Sequence, residues 1–84
     1  MSNKIEGIES ITDYVLKEKL QYINDMNQVG VLVKNSNQIL LTTDKTIEWP
    51  IREISKFGFH VNRIEVRDEE EDLGIQAIEI FMER

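Results

Sequence analysis

Between residues 29 and 43 the chain alternates with a period of two. Val29, Val31 and Val33 are separated by Gly30 and Leu32, and Ile39, Leu41 and Thr43 by Leu40 and Thr42. Successive side chains of a strand point to opposite faces, so this alternation of β-branched and aliphatic residues specifies strand and disfavours helix. Lys34-Asn35-Ser36-Asn37 lies between the two runs and supplies residues that accept tight turns. The stretch is a β-hairpin, and the rest of the chain must cover an apolar face of it.

The preceding segment has helical spacing. Ile11, Tyr14, Val15, Tyr22 and Met26 form one apolar stripe, and Leu16, Leu20 and Ile23 widen it. Ser10 with Asp13 resembles a capping box, and Asp13 and Lys17 stand in the favourable order for a helical ion pair. These features predict a helix over roughly 11–26, ended by Asn24-Asp25 and Asn27, with both tyrosines in the core. A second helix of about two turns is expected from Pro50 as its first residue, with Ile51, Ile54 and Phe57 on its buried face. Glu53 near its start and Lys56 near its end suit the helix dipole. Gly58 is placed to end the helix in the left-handed conformation, with Phe59 folding back.

A second hairpin closes the chain, with a fault in its phase. Phe59 and Val61 share one parity and Ile64 and Val66 the other, which implies a bulge near Asn62 and Arg63. The last strand changes phase in the same way, from Ile75 and Ala77 to Ile78, Ile80 and Met82. Asp68-Glu69-Glu70-Glu71-Asp72 and Leu73-Gly74 form the connection, longer than an ordinary hairpin turn and so expected to project or flex. The fold class is α+β, in the order αββαββ. It is a two-layer domain with a four-stranded antiparallel sheet and both helices on one face. Residues 8–84 make the domain and 1–7 a flexible tail. The second sheet face is expected to show Arg63, Glu65, Arg67 and Glu79.

Eighty-four residues suffice for one domain. A chain this short buries only about 60–65% of its extended-chain surface, leaving little room for a deep pocket. The five carboxylates of the run account for all but one unit of the formal net charge of -6. The remainder is near neutral, and the charge is one projection rather than a general property. With a pI near 4.7 and basic residues scattered, direct nucleic-acid binding is not expected. No cysteine is present, so disulfides and thiolate metal sites are excluded. The absence of such staples, of a signal-like apolar region and of any run near the ~20 apolar residues of a membrane span gives the expectation of a cytoplasmic protein.

The residues that could carry function are few. Asp68, Glu69, Glu70, Glu71 and Asp72 could meet a basic surface on another protein, with Glu65, Glu79 and Glu83 extending an acidic edge. Carboxylates so arranged could also stand in for phosphates. The run lacks the spacing and length of a calcium loop, so no metal site is assigned to it. Trp49, before Pro50, is either a partner anchor or a cover for the core. His60 is the only histidine, with no nucleophile context around it, and its parity places it on the sheet surface. No glycine-rich phosphate loop exists, since Gly7, Gly30, Gly58 and Gly74 are far apart.

These readings give no catalytic residue and no cofactor. The leading expectation is a small acidic, non-enzymatic protein-binding module or inhibitor that occupies a partner's basic surface. Its sharpest version is an inhibitor of a nucleic-acid-handling enzyme of the phage anti-defence type. A homo-oligomeric structural or regulatory domain, paired through a sheet edge or open face, is the alternative. A carboxylate-dependent metal enzyme ranks last.

Overall fold

The computed structural model of the chain describes residues 4–26, 29–44, 48–70 and 75–84. A single 3-10 turn at Ile8–Ser10 leads to α1 (Tyr14–Asp25), β1 (Val29–Asn35), β2 (Gln38–Thr43), α2 (Glu48–Ser55), β3 (His60–Glu70) and β4 (Ile75–Glu83). The strands form one antiparallel sheet in the order β1-β2-β4-β3, so the two hairpins join through β2 and β4.

The first hairpin follows its sequence pattern. Val29, Val31 and Val33 are buried, and so are Ile39, Leu41 and Thr43. The register sets Val31 opposite Leu41 and Leu41 opposite Ile80, and residues directly opposed in antiparallel strands share a face. Ile39 opposite Met82 extends the same row. The buried side chains of α1 (Leu16, Leu20, Ile23) and α2 (Ile54) join these strand residues in one apolar cluster.

Helix α1 departs from expectation in two ways. Its cap is Asp13 itself, whose Oδ1 accepts from the backbone N–H groups of Val15 and Leu16 at 3.0 and 3.2 Å, while Ser10 lies in the 3-10 turn. The buried row is Leu16, Leu20 and Ile23, whereas Tyr14, Val15, Tyr22 and Met26 are exposed. The sequence offers two adjacent apolar rows, and a helix packed on one side buries only one of them. The aliphatic row fills that space, and the tyrosines keep their hydroxyl ends in water. Tyr22 meets the ring of Trp49 edge-on, with centroids 5.8 Å apart.

Helix α2 begins two residues before Pro50, which therefore sits in the first turn, where backbone N–H groups have no intrahelical partner. Lys56 follows the helix rather than closing it. Gly58 ends the segment with φ 91°, as its placement implies, and Phe59 is buried beyond it. Glu53 ties the helices together. Its Oε1 accepts from Lys19 Nζ at 3.0 Å, and Lys56 Nζ lies 2.7 Å from its Oε2. The hydrogen bond with Lys56, and then that with Lys19, holds the Glu53 carboxyl below its usual titration range.

Residues 4–7, expected in a loose tail, are packed. Ile5 is part of the core, and the Glu6 carbonyl accepts from Val33 N–H at 2.9 Å. Gly7, at φ 83°, lies so close to the Val33 carbonyl that a Cβ would overlap it. The Val31 N–H donates to Asn24 Oδ1 at 3.3 Å. The outer edge of β1 is thus closed by the chain's own groups.

Candidate functional site: the open flank of the sheet

Strand β3 is the other edge of the sheet, and its register decides which side chains share the core face. Val61 stands opposite Met82, Ile64 opposite Ile80 and Val66 opposite Ile78. Met82 and Ile80 are 1% and 2% exposed, yet Val61, Ile64 and Val66 are 38%, 54% and 59% exposed. The core face therefore continues across β3 as an uncovered apolar row. Helix α2, eight residues at about 1.5 Å each, spans only about 12 Å, a third of the length of the 11-residue β3.

A bulge makes this row continuous. The register shifts between Val61 and Arg63, where the sequence implies it, and the extra residue Asn62 returns Val61 to the face of Ile64 and Val66. The second irregularity lies on β3, between Asp68 and Glu70, and not on β4. On β4 the pairing runs unbroken through Ala77 and Ile78, because the partner strand absorbs the extra residue.

The opposite face of the hairpin is polar and internally paired. Glu65 stands opposite Glu79, and each has an arginine: Arg63 Nε is 3.5 Å from Glu65 Oε1, and Arg67 Nε is 2.6 Å from Glu79 Oε1. The second contact lacks hydrogen-bond angles, so Glu79 Oε1, a buried atom, is met there by charge alone. Arg63 also lies over the Phe81 ring at 4.1 Å, and Lys34 over the same ring at 5.2 Å. Glu65 and Glu79, each beside an arginine, thus add little net charge to the acidic run.

The run itself is split by the fold. Asp68, Glu69 and Glu70, expected in a loop, continue β3, while Glu71, Asp72, Leu73 and Gly74 lie outside the described residues. The pairing of β2 with β4 ends at Thr43 and Ile78, whereas β3 and β4 continue through Arg67 opposite Ala77, Asp68 opposite Gln76 and Glu70 opposite Ile75. The acidic segment therefore extends a two-stranded ribbon beyond the four-stranded sheet. It follows directly on the apolar row.

Trp49 is half-buried against the core and serves as a cover more than a free anchor. His60 is exposed at the start of β3, as its parity implies. Among the described residues no three His, Asp or Glu side chains are grouped to hold a metal ion, and no helix is long and apolar enough to cross a membrane. The row Val61, Ile64 and Val66 was not singled out from the sequence as a contact surface. Its signal was present in the phase fault, because a one-residue bulge puts both apolar parities on one face.

No protein-family model, curated protein or solved structure matches the chain.

Proposed function

We propose that the chain is a non-enzymatic protein-binding module whose contact surface is the open flank of the sheet, with the acidic ribbon beside it. The observation that carries this reading is the exposed row Val61, Ile64 and Val66, continuous with the buried Met82 and Ile80 and the half-buried Ile78. Water is a poor neighbour for three adjacent β-branched side chains, and covering them would remove apolar surface at roughly 25 cal/mol per Å². The complementary partner surface is apolar where it meets the row and basic where it meets residues 68–70. Carboxylates there steer the encounter and select against acidic surfaces. A version of the module that imitates nucleic acid draws less from the geometry, since Glu65 and Glu79 are each matched by an arginine.

The test is capture of partners from the native host's lysate by the wild-type chain, by Ile64→Lys, and by a chain with residues 68–72 changed to Asn and Gln. Folding of each variant is checked by circular dichroism. The expected result is a partner lost with Ile64→Lys and held less salt-resistantly by the neutralised chain. Equal recovery by wild type and a folded Ile64→Lys variant would overturn the reading.

A further inference from the structure

The two edges of the sheet are treated differently. At β1, the Val33 and Val31 N–H groups are taken by Glu6 and Asn24, and Gly7 lies against the strand. At β3, no strand lies on the outer side among the described residues. An open edge is a template for another strand, and proteins that avoid such pairing block it with inward charges, prolines, bulges or covering segments. The two bulges of β3 lie at Asn62 and between Asp68 and Glu70, and the stretch from Arg63 to Asp68 between them is regular. Here the core-facing positions from 61 to 66 are Val61, Ile64 and Val66, with no charge among them.

We infer that β3 pairs antiparallel with β3 of a second copy of this chain, about a two-fold axis through Ile64, joining the two sheets into one of eight strands. This rests on the reading of the open flank as a contact surface and names one occupant for its edge. The sequence of the edge is complementary to itself in that register. Ile64 stands opposite Ile64 of the other copy. One step out on the polar face, Arg63 meets the other copy's Glu65, and Glu65 meets its Arg63. One step further, Val66 meets Val61, because the bulge at Asn62 removes one residue from the count. Apolar side chains therefore oppose apolar ones, and each charge opposes its counterpart. The register ends there, since the next position would set His60 against Arg67.

Other two-fold registers lose this match. Centring on Glu65 opposes Glu65 to itself and Arg63 to Arg67. Centring on Val66 recovers the Glu65–Arg67 pairs but sets Ile64 against Asp68. Parallel pairing in register would oppose every charge to its like. The pairing would also double the apolar row, giving a contiguous floor of six β-branched side chains at the centre of the joined sheet. A closed two-fold contact of this kind uses up both free edges and stops at the dimer.

The chain has no cysteine, so one introduced thiol reports the register. Directly opposed residues on antiparallel strands have Cα atoms about 4.5–5.5 Å apart, within the range a disulfide spans. Under mild oxidation, full-length Ile64→Cys is expected to form a covalent dimer on the order of tenfold faster than Val15→Cys, an exposed position on α1. Sedimentation of the wild-type chain is expected to give a dimer. Arg63→Glu or Glu65→Arg alone should raise its Kd at least about tenfold, and the double exchange should restore it, because only opposed charges are being swapped. Equal cross-linking at positions 64 and 15, a wild-type monomer at all concentrations, or no rescue by the double exchange would overturn the inference. A monomer that still loses its lysate partner on Ile64→Lys would leave the binding-module reading standing. A dimer whose lysate partner is unaffected by that change would remove the reading and keep the pairing.

Discussion

Ile64 and Ile80 stand directly opposite each other on neighbouring strands and share a face of the sheet, yet one is 54% exposed and the other 2%. The apolar face therefore stops being covered between β4 and β3. That boundary distinguishes the β3 flank of the sheet from the covered remainder of the same face.

The two isoleucines should respond differently to truncation. Ile80→Ala removes fully enclosed methyl groups and should cost about 2–5 kcal/mol of stability. Ile64→Ala, in dilute protein, should cost no more than about 0.5 kcal/mol, since its surface is already wet. Urea unfolding at the lowest usable concentration checks both, because association would add a concentration-dependent term at position 64. Similar losses at the two positions would mean that β3 is covered within the single chain.

Glu53 sets an acid limit. Its lowered titration point means that the folded state favours the carboxylate more than the unfolded chain does. Its contribution to stability is complete above the ordinary value of 4.5 and is lost as pH falls through the lower native value. Glu53→Gln should flatten the pH dependence of stability below 4.5 while leaving the fold intact. Thermal melts of the two chains between pH 3 and 7 measure this, and parallel curves would show that the link to Lys19 and Lys56 contributes nothing.

Gly7 and Gly58 both have positive φ but differ in their surroundings. A Cβ at Gly7 would overlap the Val33 carbonyl, whereas one at Gly58 meets nothing within 4 Å. Gly58→Ala should cost about 1 kcal/mol, from backbone strain alone. Gly7→Ala should cost roughly 2–3 kcal/mol, because the strand contact must open as well. It should also speed amide exchange at Val33, whose N–H is held by Glu6.

Much of this architecture was legible in the residues. The alternation of 29–43 specified the first hairpin, and the phase fault between Val61 and Ile64 placed the bulge. Gly58 marked the end of α2 by its position. The choice between two adjacent apolar rows on α1 was not legible, because Tyr14, Val15 and Tyr22 satisfy helical spacing as well as Leu16, Leu20 and Ile23 do. The packing partner decides such a case, and it is distant in sequence. The charge of the acidic run reads as loop, yet Asp68 and Glu70 pair with Gln76 and Ile75 of β4, with Glu69 as the extra residue between them. The open flank was hidden for a related reason. Whether Ile64 is covered depends on how far α2 reaches, and local periodicity does not encode that distance.

If β3 pairs with β3 of a second copy, that copy is always present in a pure sample. Hydrogen–deuterium exchange of the full wild-type chain, recorded at low and high concentration, tests the pairing without any substitution. The expected result is that amide protection across Arg63, Ile64, Glu65 and Val66 rises with concentration, while that of Val31 and Val33 stays constant. Protection that is unchanged on β3, or that rises on α1 instead, would contradict the pairing of β3 with its copy.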